Sequence, residues 1–241
     1  MIARHIVAMG GGGFSGEPKN PLLDDFILSL TGKVSPRVCF LGTASGDSER
    51  YIEKFYKAMR RRKCKASHLA LFHRTVATPS TFLGWQDVIY VGGGNTVNML
   101  AMWRIHGVDR ALHAAWRQGI VLAGISAGAN CWFEACSTDS FGPLAPLRDG
   151  LGLLPGSVCP HYHGEKQRRP TLFRFIANGQ LPDGFALDDG AAAHFVGRRF
   201  FEAVSSRPHA KAYRVFRRGP QAIEEEIPTR FLGVASGNRV R

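Results

Sequence analysis

The sequence predicts an α/β fold, a mostly parallel sheet with helices on both faces, and three observations carry that expectation. Short apolar runs recur along the chain, as buried strands do. They alternate with amphipathic stretches at helical spacing, the pattern of strand–helix–strand units. Several runs end abruptly in glycine, where a strand of such a sheet hands over to a tight turn.

Taken in order, His5–Met9 runs into glycines 10–13 and reads as the first strand. Arg37–Leu41, ending at Gly42, reads as the second. Residues 47–62 read as a helix, with Asp47 at the capping position and Ile52, Phe55, Tyr56 and Met59 on one apolar face. Arg60, Arg61, Arg62 and Lys63 close it, cations at the negative helix end. Residues 66–72, 88–91 and 120–125 read as further strands, and 95–104 and 109–118 as helices. Beyond Ser126 the alternation loosens. Residues 142–160 read as loop and 170–178 as a helix. Residues 184–187, 191–196, 200–204, 212–217 and 221–227 read as short strands that extend the sheet or form a hairpin at its edge. The tail, 236–241, reads as frayed. Nothing marks a domain boundary, so residues 1–241 are expected to form one domain.

Composition narrows the function. The chain has 241 residues, 44% of them hydrophobic, enough for a sizeable core. Its 28 glycines cluster at 10–13, 92–94, and 124 with 128, so they mark tight backbone geometry rather than a linker. The five cysteines are odd in number and form no C-x-x-C, which argues against a disulfide framework or zinc ribbon and for a reducing, cytoplasmic compartment. No apolar run is long enough to span a membrane. The net charge of +12 suits a solvated basic surface, and no nucleic-acid motif accompanies it.

The most specific motif is Gly124-Ile125-Ser126-Ala127-Gly128, a G-x-S-x-G placed after a buried strand and before a helix. A nucleophilic serine needs that arrangement. A strained strand-to-helix turn projects its hydroxyl clear of the sheet, and the helix start offers backbone N–H groups to an oxyanion. Ala127 supplies the first donor. Gly92-Gly93-Gly94-Asn95-Thr96 is a second glycine turn, and Gly93 or Gly94 fits a second oxyanion donor. It lacks the spacing and lysine of a P-loop. The glycines at 10–13 match a dinucleotide fingerprint only loosely, since no helix is expected directly after them and no acidic residue closes a second strand.

A serine needs a base, and the base an orienting acid. His161, beside Pro160 in a loop at a strand end, is the candidate base. His161 and His163 with Glu165 form a rival metal-ligand set that lacks further ligands at a telling spacing. Asp189, after residues 184–187 and before Gly190, is the candidate acid, with Asp139 and Asp188 as rivals. The order serine, histidine, acid disfavours an α/β-hydrolase.

Together, residues 92–96, 124–129, 160–162 and 187–190 resemble the peptidase E family, peptidase family S51, which includes cyanophycinase. The resemblance implies a class I glutamine-amidotransferase-like (flavodoxin-like) three-layer sandwich and a serine peptidase that needs no metal or other cofactor. It implies Ser126 as nucleophile, His161 as base and Asp189 as acid, where well-known relatives carry glutamate. Gly93 or Gly94 with Ala127 would form the oxyanion hole. Asn95, Glu165, Arg168 and Arg169 are the expected substrate-binding residues, an arginine pairing with a substrate carboxylate. The implied substrate is a short peptide, with N-terminal aspartate as in peptidase E. A monomer or homodimer is expected. A non-catalytic binding module on the same fold and a cyanophycinase-like hydrolase of isoaspartyl-type bonds remain the alternatives. An amidotransferase is disfavoured, because that chemistry uses cysteine at the elbow.

Overall fold

The structure is a computed structural model that describes residues 3–233. The main sheet takes its parallel centre from β1 (His5–Met9), β2 (Arg37–Leu41), β3 (Lys65–Leu69), β4 (Val88–Val91) and β5 (Val121–Ile125). Around them lie α1 (Gly13–Gly16), α2 (Leu22–Ser29), α3 (Glu49–Met59), α4 (Pro79–Gly84), α5 (Thr96–His106) and α6 (Val108–Arg117). After β5 come α7 (Ala127–Asn130), β6 (Phe133–Thr138), β7 (Ala145–Leu147), β8 (Leu154–Cys159) and α8 (Arg168–Ala177). The chain then runs through β9 (Gly184–Leu187), β10 (Ala191–Val196), β11 (Arg199–Ser205), β12 (Ala212–Arg218), β13 (Gln221–Ile227) and β14 (Thr229–Phe231).

Two sheets result. The larger has the order β14-β11-β10-β1-β5-β4-β2-β3, with β10 antiparallel to β1. The smaller has the order β13-β12-β9-β8-β6-β7 and is mixed. The period-two alternation of a strand explains the layering. Val7, Met9, Val38, Phe40, Tyr90 and Ala123 face one side and pack with Phe14, Leu23, Ile27, Phe55 and Met59 of α1, α2 and α3. Their neighbours Ile6, Ala8, Cys39, Leu41, Ile89 and Leu122 face the other side. There they meet Leu100, Trp103 and Leu112 of α5 and α6, and Leu154, Val158 and Phe185 of the smaller sheet. Each large apolar side chain so buried contributes about 1.5–3 kcal/mol relative to exposure. Leu172, Phe175 and Ile176 of α8 cover the smaller sheet's other face at Ala135, Cys159 and Ala186. The class is therefore the expected α/β sandwich.

Several local expectations are corrected. Residues 142–160 are not loop throughout: they hold β7 and β8, strands of the smaller sheet whose proline and glycine content hid them. The C-terminal strands divide between the sheets, β10 and β11 extending the larger and β9, β12 and β13 building the smaller. A short helix, α1, does follow the glycines at 10–13 at once. Asp47 does not cap α3. Ser48 takes the capping position, and the Asp47 carboxylate instead accepts the N–H groups of Leu71 and Phe72, tying the start of α3 to the segment after β3. The helices α2 and α4 were not read from the sequence. The segment 236–241 lies outside the described residues.

Candidate active site

Ser126 occupies the one-residue joint between β5 and α7. Its backbone has φ 54° and ψ −110°, a conformation that residues with a Cβ rarely adopt. Holding it there costs on the order of 1–3 kcal/mol. The surroundings hold it on both sides. Its N–H donates to Met9 O on β1 at 3.1 Å, and its carbonyl accepts Ala129 N–H at 2.8 Å and Asn130 N–H at 2.9 Å. The flanking glycines of the motif are needed for close approach: a Cβ on Gly124 would stand 2.1 Å from Gly128 O, and one on Gly128 2.4 Å from Val91 O. Ala127 opens α7, and a first-turn N–H has no intrahelical acceptor.

The turn after β4 sits alongside. A Cβ built on Gly93 would lie 3.4 Å from Ser126 Cβ and 3.9 Å from its Oγ. Gly93 N–H donates to Tyr51 Oη at 3.2 Å. Burial pushes the Tyr51 phenol up, so it stays protonated at neutral pH. Its ring packs on Phe40 and Phe14, with centroids 5.0 and 5.6 Å away. Gly94 continues the turn with φ 139° against Ala44.

His161 follows β8 with a left-handed φ of 55°, and its N–H donates to Gly10 O at 3.2 Å. Its Nδ1 lies 2.6 Å from Asp189 Oδ1, which leaves Nε2 as the ring nitrogen available to a partner. Asp189 is bridged to Gly11, and Gly190 N–H donates to Gly11 O at 3.2 Å. The glycine turn of β1 thus clamps the segments that carry both residues. The hydrogen bond from His161 holds the Asp189 carboxyl below the usual carboxylate range, with partial burial working against it. The rivals are occupied elsewhere: Asp188 Oδ1 lies 2.8 Å from His163 Nδ1, and Asp139 pairs with Arg168.

Ser126, His161, Gly93 and Gly94 line one cleft of about 560 Å³. Within the described residues the hydrogen bonds do not include one between Ser126 Oγ and His161. Such contacts often tighten only with substrate.

The model of peptidase family S51 matches residues 6–203. The chain belongs to peptidase family S51. As a member it is a serine peptidase, a hydrolase that acts on peptides. It is 52% identical to an uncharacterized peptidase, YgaJ, of Bacillus subtilis, across 95% of this chain and all of that one. It is 27% identical to a peptidase E of Pasteurella multocida, across 74% of this chain and 78% of that one. The fold matches that of a crystal structure of a peptidase from an acI-B1 Actinobacterium, with a TM-score of 0.69 at 17% identity over 92% of this chain and 97% of that one.

In this S51 chain the remaining expected residues do not gather at the cleft. The Asn95 side chain caps α5, accepting Asn98 N–H at 2.9 Å, and donates to Ser140 O at 3.0 Å. Arg168 is 3% exposed and donates to Glu165 at 2.7 Å, Asp139 at 3.4 Å and the carbonyl of Ser137 at 3.4 Å. Arg169 pairs with Glu224 at 2.7 Å and lies over the Phe173 ring. None of Asn95, Glu165, Arg168 and Arg169 lines the cleft. Ser15, Arg50, Tyr51 and Lys54 do, and the sequence reading did not select them. The signal available was weak: all but Ser15 lie on a helix whose apolar periodicity drew attention to its buried face. Among the described residues no helix is long and apolar enough to cross a membrane.

Proposed function

We propose that the chain is an exopeptidase of short peptides in which Ser126 attacks the scissile carbonyl. His161 takes the serine proton through Nε2 and returns it to the leaving amine, and Asp189 holds the imidazole at Nδ1 and stabilises the imidazolium. Gly93 or Gly94 with Ala127 receives the oxyanion. The observation that carries this reading is the strained Ser126 elbow sharing a cleft with a histidine whose other nitrogen is held 2.6 Å from a carboxylate. Similarity to a peptidase E, together with the resemblance read from the motifs, supports short-peptide substrates, with dipeptides carrying N-terminal aspartate as the proposed class. Residues 1–241 act as one peptidase unit, as a monomer or homodimer. The five unpaired cysteines suit the cytoplasm.

The test is covalent. A fluorophosphonate probe is expected to label Ser126, located by peptide mass spectrometry, and labelling is expected to block release of aspartate from Asp-Leu. Full turnover by a chain with Ser126→Ala would remove the assignment.

A further inference from the structure

We propose that Arg50 and Lys54 form the carboxylate-binding wall of the cleft, the place where a negatively charged group of the peptide docks. The proposal rests on the reading of the cleft as a peptide-hydrolysing site, and it names which residues select the substrate.

Both residues line the cleft that holds Ser126 and His161, and among the described residues no aspartate or glutamate lines it. They stand four residues apart on α3, so they share one helix face. That placement is unfavourable for the helix itself. Like charges at this spacing repel. Arg50 also lies in the first turn of α3, where the backbone dipole is already positive. The result is a concentration of positive potential at one wall of a cavity, the arrangement that attracts an anion.

Arg168 and Arg169, the basic residues expected from the sequence to bind substrate, are held by internal partners. Arg168 is held by Glu165 and Asp139, and Arg169 by Glu224. Arg207, near Asp189, is held by Glu17 at 2.6 Å. Arg50 and Lys54 enter no ion pair among the described residues. Glu49 and Glu53 share α3 with them but close no pair with either. Two cations without an ion pair among the described residues therefore share the cleft with the reacting side chains. A guanidinium can hold a carboxylate through two parallel hydrogen bonds, and an ammonium adds a point charge beside it. In a peptide that carboxylate is either the side chain of an acidic residue or the C-terminal carboxylate.

The experiment measures equilibrium binding by calorimetry to the full chain carrying Ser126→Ala, with and without Arg50→Ala and Lys54→Ala together. The probes are Asp-Leu, Asp-Leu amide, Asn-Leu and Asn-Leu amide. The double substitution is expected to weaken Asp-Leu at least tenfold and to leave Asn-Leu amide within twofold. Weakening confined to Asp-Leu and Asp-Leu amide assigns the wall to the side-chain carboxylate. Weakening confined to Asp-Leu and Asn-Leu assigns it to the C-terminal carboxylate. Equal weakening of all four probes, a change under twofold for Asp-Leu, or no binding of Asp-Leu to the chain with Arg50 and Lys54 intact would overturn the proposal. Hydrolysis of the same peptides by the chain with Ser126 intact is measured alongside. Turnover that persists in the Arg50→Ala/Lys54→Ala chain with unchanged selectivity leaves the peptidase reading standing while the wall falls. Absence of turnover with binding lost on the double substitution does the reverse.

Discussion

The Nδ1 of His161 lies 2.6 Å from Oδ1 of Asp189, while the preceding residue, Asp188, turns its carboxylate to a different histidine, His163, at 2.8 Å. Two adjacent acids thus hold two histidines, and only one of those histidines lines the cleft. Asp188 also accepts the N–H of Lys211 at 3.1 Å, which ties the end of β9 to the segment entering β12. Its duties are those of a turn.

Asp189→Asn is expected to lower kcat by ~10³–10⁴, because an amide at this position favours the wrong imidazole tautomer. Asp188→Asn is expected to leave kcat within tenfold and to lower the melting temperature. The pH dependence carries its own sign. The Asp189 carboxyl is held low by His161, so its contribution to stability is complete above the unfolded carboxylate value and is lost as pH falls through the lowered native one. That part of the acid limb should vanish in Asp189→Asn. Denaturant titrations between neutral and acid pH, together with steady-state kinetics, check both halves. Equal kinetic losses in the two variants would reject the division of labour.

Ser126 separates strain from chemistry. Ser126→Ala keeps the Cβ and the strained φ of 54°, so its stability is expected to match the parent while activity falls by ~10⁴–10⁶. Ser126→Gly removes the Cβ and relieves on the order of 1–3 kcal/mol, against which glycine loses about 0.5–1 kcal/mol through unfolded-chain entropy. It should be equally inactive but more stable than Ser126→Ala by roughly 1 kcal/mol. Urea denaturation of the pair decides it. An alanine variant more stable than the glycine variant would mean that the elbow is not strained by its side chain.

Gly164 leaves room for the acid. A Cβ there would stand 2.3 Å from Asp189 Oδ2. Gly164→Ala therefore has to push the carboxylate off its line with His161, and misplacement by an ångström can cost ~10²-fold in rate. The expected loss is in kcat, with KM nearly constant. A KM effect alone would point to a substrate contact instead.

The central sheet was legible because its strands are buried on both faces and so read as unbroken apolar runs, as with Val88–Val91 and Val121–Ile125. The elbow was legible because close approach of Gly124 and Gly128 demands glycine at two fixed positions. The smaller sheet was harder. Pro155 and Gly156 sit inside β8, and the register of β6 on β8 shifts between Phe133 and Ala135, so periodicity failed there. The cleft's cationic wall was illegible for another reason. Exposed charges on a helix look alike in sequence, whether they face bulk water, as on the outer side of α3, or a cavity that strands far away in sequence enclose. The counterions that occupy Arg168 and Arg169, Asp139 and Glu224, likewise come from distant segments.

A buried acid on the opposite side of the sheet from α5 and α6 makes the last prediction. Asp24 is 1% exposed, and burial pushes its carboxyl from 3.8 up to about 6, although Arg62, the Tyr90 hydroxyl and the Phe14 N–H all favour the ionised form. A carboxyl whose native value is raised keeps its proton in the fold after the unfolded chain has lost it. Stability then falls as pH rises from about 4 to about 6 and stays lower above that. The gap between 3.8 and about 6, at about 1.4 kcal/mol per pH unit, sets an upper limit on the order of 3 kcal/mol. In Asp24→Asn the side-chain amide oxygen would still accept from Phe14 N–H and the Tyr90 hydroxyl, and Arg62 keeps Asp25 at 2.6 Å. The variant is thus expected to fold, and its stability relative to the parent should rise by roughly 1–3 kcal/mol between pH 4 and pH 7. Urea denaturation at half-unit pH steps measures that difference directly. A difference that stays flat, or that moves in the parent's favour as pH rises, would show that the ion pair with Arg62 at 3.1 Å fully offsets the burial of the carboxylate.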